Sequence, residues 1–370
     1  MNYLKKRTWA EISLKNIEDN YRKIKAYLPK NTKFLGVVKA DAYGHGALQV
    51  AHQLEKCGAD YLAVSCLDEA MELRGNGITM PILILGHTPS EFVGTLIDNR
   101  ITQTVSNKAK AEEYNAECEK LGRKLKVHIK IDTGMSRLGF LCSGKMEATG
   151  IQNIADSCRL EHLDCEGIYT HFAVSDEPGE ENRAYTLKQF SLFMRVIDYL
   201  AKFHGITFRI RHCANSGAVA HFPDMALDMV RPGYLLYGYG DDDGAIGVKP
   251  CMRFVTTVTC IKHYEPGTAV SYGCRYVTDK PARIAVLGCG YADGLPRAAS
   301  GKCDFAGPQV GSICMDMCMM DITDHPEITV GSEVELFGEK NDIRRISDAA
   351  GTIPYELLCS VTKRVPRIYK

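Results

Sequence analysis

Up to Gly240, apolar runs of strand length alternate with stretches of helical period, eight times over. The runs are Phe34–Val38, Tyr61–Ser65, Pro81–Leu85, Ile101–Val105, Leu125–Ile131, Glu166–Tyr169, Phe208–Arg211 and Leu227–Val230. Helix-like segments lie between them, among them Ala47–Lys56, Ser106–Leu121 and Asn182–Phe203. The last carries Phe190, Phe193, Ile197 and Leu200 on one stripe at spacings of three and four. Eight βα repeats in about 235 residues predict a (β/α)8 barrel, an α/β TIM fold. An open doubly wound sheet competes, but it uses fewer strands and places a Gly-rich phosphate loop after the first. Gly44-His45-Gly46 is too short for that loop.

After Gly240 the texture changes. Asp241-Asp-Asp-Gly-Ala-Ile-Gly reads as a linker or turn. Short β-branched runs then recur at Phe254–Ile261, Thr268–Val270, Arg283–Leu287 and Glu333–Phe337, parted by Pro/Gly turns. The expected division is a barrel over residues 12–240 and a mostly β domain over 241–370, joined by an N-terminal strand within 1–11 around Trp9.

Composition narrows the partners. The chain has 45 basic and 45 acidic residues, so neither nucleic acid nor a charged membrane surface is implied. No apolar stretch follows the charged N-terminus, so no signal peptide is expected, and no window approaches the roughly 18 to 20 apolar residues of a membrane span. The 15 cysteines are scattered without a Cys-x-x-Cys, which fits reduced core residues of a cytoplasmic protein and no metal site.

A barrel carries its chemistry on the loops leaving the C-terminal ends of its strands. Lys39 and Tyr43 follow the first run, Lys130, Asp132 and Arg137 the fifth, His171 the sixth, Asn215-Ser216-Gly217 the seventh, and Arg231-Pro-Gly233-Tyr234 the eighth. Each has a bland explanation: a snorkelling lysine, a structural histidine, a turn-forming aspartate, an ion-paired arginine. Their common rim is harder to explain that way. A lysine against apolar surface loses charge readily and suits a Schiff base. Ser216, Gly217 and Gly233 sit where such barrels cradle phosphate. An amine for an aldehyde, a phosphate cradle and an arginine together suit pyridoxal 5′-phosphate (PLP).

Val38-Lys39-Ala-Asp-Ala-Tyr43-Gly-His45-Gly46 resembles the cofactor-lysine motif of alanine racemases, the fold-type III PLP enzymes. The similarity continues through Lys130-Ile-Asp-Thr-Gly-Met-Ser-Arg137, Thr170-His171-Phe-Ala, His212-Cys-Ala-Asn215-Ser216, Asp228-Met-Val-Arg231, Val270-Ser-Tyr272-Gly, Gly290-Tyr291-Ala-Asp-Gly294, Ile313-Cys-Met315-Asp316 and Arg364-Val-Pro-Arg367. The resemblance implies that Lys39 carries PLP and is the base on one face of the substrate Cα. It makes Tyr272, from the partner of a head-to-tail homodimer, the base on the other. It puts Arg231 at the pyridine nitrogen, with His171 linking it to that tyrosine. Arg137 and the Met315 backbone would meet the substrate carboxylate, with Lys130, often carbamylated, steadying Arg137 and Asp316 in a supporting place. Tyr43, Ser216, Gly233 and Tyr234 map to the phosphate site, and Asn215 is a further cofactor-binding residue. Two positions depart from residues found in some members of the family: Lys363 stands where a tyrosine can reach the phosphate and Ser312 where an arginine is sometimes seen, both near the substrate entrance.

The implied reaction interconverts L- and D-alanine, the latter for peptidoglycan. Racemisation needs a base on each face, and an amine and a phenol are distinguishable. A phenol near pKa 10 needs a shift of about three units, roughly 4 kcal/mol, to act near neutrality. Neighbouring positive charge along Arg231–His171–Tyr272 would supply it. Serine racemisation and, more distantly, decarboxylation by the same fold are the alternatives.

Overall fold

A computed structural model describes residues 7–370 as two compact units. The first comprises Ile17–Ala42 and Ala47–Lys249. Its parallel strands are β1 (Lys33–Val37), β2 (Tyr61–Val64), β3 (Ile82–Ile84), β4 (Ile101–Val105), β5 (Leu125–Asp132), β6 (Leu163–Tyr169), β7 (Ile210–His212) and β8 (Met229–Val230). They pair in chain order, and β8 returns to β1 with Met229 opposite Lys33. Between β7 and β8, the amides of Asp228 and Arg231 donate to the carbonyls of Arg211 (3.1 Å) and Ala214 (2.9 Å). The result is a nearly closed (β/α)8 barrel.

Each strand falls within a few residues of its apolar run. β6 begins earlier than its hydrophobicity suggests, because half-buried Asp164 and Cys165 still pair with Lys126 and Val127 of β5 at the barrel floor. β8 is shorter, because Leu227 turns into left-handed backbone (φ 49°) and Asp228 clamps the Arg211 side chain.

The helices follow their sequence signals. In Lys108–Leu121 the Asn107 side chain caps the N-terminus and Gly122 ends it at φ 62°, while Ala111, Tyr114 and Cys118 are buried. The long helix Glu180–His204 buries Gln189, Leu192, Phe193, Val196, Ile197 and Leu200. Phe190, expected on that stripe, lies half-buried beside it. Gln189 instead fixes the loop after β6: its amide donates to the His171 carbonyl and its oxygen accepts from Ala173 N–H.

The second unit holds the N-terminal segment through Asn16, Tyr43–Gly46 and Pro250–Lys370. Of the stretch 1–11 expected to join it, residues 1–6 lie outside the described residues; Thr8–Ile12 is a strand. It pairs antiparallel with Met252–Tyr264 (Thr8 opposite Thr256) and parallel with Arg367–Tyr369. Beyond Met252–Tyr264 the sheet continues through Ala282–Leu287, Cys318–Asp321 and Gln309–Val310, and Glu333–Phe337 also pairs with Met252–Tyr264. Two short helices, Arg344–Ala350 and Pro354–Ser360, supplement the strands. Among the described residues no disulfide joins the cysteines, and no helix is long and apolar enough to cross a membrane.

Candidate active site

Lys39 stands half-buried just beyond β1, and the chain then does something L-residues resist. Ala40, Asp41, Ala42 and Tyr43 all take left-handed backbone, with φ between 53° and 54°. Each such residue costs roughly 1–2 kcal/mol, so this turn persists only because its surroundings fix it. The Asp41 carboxylate accepts from Ala47 N–H at 2.8 Å, and Glu69 accepts from Ala40 N–H at 2.6 Å. Within the second unit, Gly44 (φ 76°) packs so tightly that a Cβ would lie 2.2 Å from the Leu358 carbonyl oxygen. The guanidinium of Arg367, from the terminal Arg-Val-Pro-Arg motif, donates to the Gly44 carbonyl at 3.0 Å.

On the barrel rim, positive charge gathers around Lys130. Lys130 is buried, which pushes its amine down; Arg137, Arg231 and Lys39 push further, against Asp132, to about 8. Asp132 shapes the loop bearing Arg137, accepting from the amides of Gly134 (2.9 Å) and Ser136 (3.0 Å). Arg137 itself is exposed at the loop tip. The Lys130 amine and the Arg231 guanidinium lie 5.5 and 5.2 Å from the centroid of the buried Tyr169 ring, which tempers their repulsion.

Arg231 is 4% exposed and, among the described residues, pairs with no carboxylate. It donates to the carbonyls of Thr170 (2.8 Å) and Cys213 (3.1 Å) and meets Nδ1 of His171 and of His212, each at 3.2 Å. Burial holds both imidazoles well below the usual histidine range, and Arg231 adds to it. They are neutral, with Nδ1 as the acceptor toward Arg231.

The loops after β7 and β8 are tied together by one hydroxyl. Ser216 Oγ accepts from the amides of Gly233 (3.0 Å) and Leu235 (3.2 Å). Asn215 caps the short helix Ser216–His221 through Ala218 N–H and accepts from Ser175 Oγ at 2.7 Å. Tyr234 stacks on Tyr239 with centroids 5.1 Å apart.

Tyr272 belongs to the second unit, at the tip of the hairpin joining Ala269–Val270 to Tyr276–Val277. Ser271, Gly273 and Cys274 around it all have positive φ, so this candidate base also sits on strained backbone. Its residue is 70% exposed in the single chain. Ser312, a departure from the family pattern, is buried and donates to the Tyr272 carbonyl at 2.9 Å, while Ser271 Oγ donates to the Ser312 carbonyl. Met315 and Asp316 are exposed. Asp316 accepts from Arg364 at 2.8 Å, and Arg364 also reaches the fully buried Asp293 at 2.8 Å. Gly290 lets the Met315 loop approach: a Cβ there would lie 2.4 Å from the Met315 carbonyl oxygen.

The structure thus gathers Lys39, Lys130, Arg137, His171 and Arg231 at the C-terminal rim of the barrel, with Asn215, Ser216, Gly233 and Tyr234 on its last two loops. Tyr43, Tyr272, Met315 and Asp316 belong to the second unit. Sequence reasoning missed the buried groups behind Arg231: His128, Glu166, Tyr169 and, as more than a motif letter, His212. Polar residues inside apolar strands, such as His128 between Val127 and Ile129, were the available signal.

A parallel barrel with its polar groups at the C-terminal rim, in one chain with a β unit whose hairpin tip bears a tyrosine between positive-φ neighbours, defines a barrel enzyme with a strand-rich second unit. Residues 12–241 match the alanine racemase N-terminal domain and residues 251–369 its C-terminal domain. The chain belongs to the alanine racemase family, whose members depend on PLP. An alanine racemase of Desulfovibrio desulfuricans is 43% identical over 370 residues, covering 98% of this chain and 97% of that protein. One of Methanococcus maripaludis is 42% identical over 373 residues, covering 98% of each. The solved alanine racemase of Clostridium difficile 630 superimposes with a TM-score of 0.88 at 41% identity, covering 99% of this chain and 96% of that one.

Proposed function

We propose that this chain racemises alanine with PLP by a two-base mechanism. The observation that carries this reading is Arg231, a buried guanidinium with no carboxylate partner among the described residues, on a rim that also gathers Lys39, Lys130 and Arg137. So many cations under one mouth fit a ligand that brings its own negative charge, and PLP brings a phosphate and a phenolic oxygen. Lys39 would hold its aldehyde carbon. Ser216, Gly233, Asn215, Tyr234 and Tyr43 would serve the phosphate, Arg231 the ring nitrogen, and Arg137 the phenolic oxygen and the substrate carboxylate with Met315. When bound, PLP acidifies the substrate Cα–H. An arginine does not hand its proton to a pyridine, because its own pKa is above about 12.

The two bases then divide the faces of Cα. The Lys39 amine takes or returns the proton on one face and the Tyr272 oxygen on the other. In the single chain Tyr272 is exposed and open to water on its hairpin tip. Support for a homodimer lies there: a second copy would cover Tyr272 and place it near His171, whose Nδ1 is committed to Arg231. A cytoplasmic supply of D-alanine for peptidoglycan is the physiological role we assign, consistent with cysteines that form no disulfide among the described residues.

The purified protein is expected to be yellow, and borohydride reduction to bleach it and label Lys39. It should racemise L-alanine faster than L-serine. A colourless protein that stays unlabelled after PLP addition removes this reading; equal or better turnover of serine replaces alanine as substrate.

Lys130 we assign as a carbamate, formed when its free amine attacks carbon dioxide and releases a proton. Protonation blocks that attack, so the rate of carbamate formation should rise with pH toward about 8 and then level off. Carbon-13 NMR with labelled bicarbonate measures it; a Lys130→Ala protein showing the same signal contradicts the assignment.

A further inference from the structure

Arg231 is held from below by a line of buried groups running through the barrel. Its NH1 meets His212 Nδ1 at 3.2 Å, His212 Nε2 meets His128 Nδ1 at 2.9 Å, and His128 Nε2 meets the Glu166 carboxylate at 3.3 Å. Both histidines are fully buried, Arg231 is 4% exposed and Glu166 8%. At the floor, Glu166 also accepts from Tyr61 Oη and, at 2.9 Å, from Lys126, which lines a cavity of about 580 Å³. Burial pushes the Glu166 carboxyl up, but hydrogen bonds from His128, Tyr61 and Lys126 outweigh it and hold it at about 2. Burial also lowers both histidines, so each ring carries one proton.

The ends of the line settle where those protons lie. A guanidinium only donates and an ionised carboxylate only accepts. Glu166 therefore requires N–H at His128 Nε2, which leaves His128 Nδ1 as an acceptor. His212 must then donate from Nε2, which leaves its Nδ1 lone pair facing Arg231. No other placement of two protons makes all three contacts.

Space is set aside for this arrangement. Gly167 has no left-handed backbone to explain it, yet a Cβ there would lie 2.7–2.8 Å from Cε1, Nδ1 and Nε2 of His128. The His212 ring stacks on Tyr169, centroids 4.7 Å apart and planes 17° apart.

We infer that Glu166 is a positioning residue for Arg231: by fixing the tautomers of His128 and His212, it gives the guanidinium a neutral acceptor that sets its orientation. A carboxylate in direct contact would orient Arg231 as well, but it would cancel the positive charge the site uses. This inference rests on Arg231 serving the proposed reaction.

Nitrogen-15 NMR of histidine-labelled protein tests it. Wild type should show ring N–H at Nε2 and a bare Nδ1 for both His128 and His212. Glu166→Leu should mix the tautomers and lower kcat about tenfold to a hundredfold, the loss of one hydrogen bond to a charged group, with the KM for alanine little changed. Glu166→Gln should recover most of that loss, because its amide oxygen can accept from His128 while Lys126 turns to solvent. Gly167→Ala should reproduce the loss by displacing the ring without touching the carboxylate. An Nδ1–H on either ring of wild type, or wild-type kcat in Glu166→Leu or a folded Gly167→Ala, overturns the proposal. The wild-type ring protonation can be read even if Glu166→Leu does not fold. It is also independent of turnover, so failure of the racemase reading remains a separate result.

Discussion

Lys39→Ala should abolish racemisation, lowering turnover by more than about 10⁴-fold, because one residue carries two roles. It would anchor the cofactor and serve one face of Cα, and covalent anchoring and general-base catalysis are each worth orders of magnitude. The fold should survive. Lys39 is half-buried beyond the end of β1, and the left-handed turn after it is held by Asp41, Glu69 and Gly44, not by the amine. Circular dichroism should match wild type while the visible band is lost. Adding methylamine should restore part of the turnover, since a small amine can enter the space left by the side chain. A Lys39→Ala protein with more than about a hundredth of wild-type activity contradicts the assignment, because loss of a general base alone exceeds that.

Tyr272→Phe should separate the two bases. Removing one hydroxyl leaves the barrel untouched, so cofactor absorbance and borohydride labelling of Lys39 should persist. Racemisation should fall about 10²- to 10⁴-fold, the range for a positioned acid–base group. Exchange of the Cα proton with deuterated solvent is the sharper readout. With only the Lys39 face working, one alanine enantiomer should still exchange while neither converts to the other. Thermal stability should hardly move, since Tyr272 is 70% exposed and the hairpin is fixed by its backbone and by Ser312. Equal loss of exchange from both enantiomers would mean that Tyr272 positions the site and does not act on one face.

Much of this architecture is legible in the sequence. Barrel strands are continuous apolar runs because parallel strands are buried on both faces, so their number, order and class survive in one dimension. Their ends do not. β6 extends into Asp164 and Cys165, and β8 contracts at Leu227, because pairing and side-chain clamps outweigh hydropathy there. The helices Arg344–Ala350 and Pro354–Ser360 went unseen among β-branched runs because seven-residue helices carry too few turns for a period to show.

The candidate site divides the same way. Sequence by itself determined which residues stand on the rim, because position after a barrel strand is a local property: Lys39, Lys130, Arg137, His171, Ser216 and Arg231 could all be named from it. Only the tertiary structure decided what those residues are charged with and what holds them. Lys130 is depressed by burial first, then by its loop neighbour Arg137 and by Arg231 from the far side of the barrel sequence, and Arg231 owes its orientation to His212, His128 and Glu166 on three different strands. Burial, charge and tautomer depend on neighbours brought together through space, and no spacing along the chain records them.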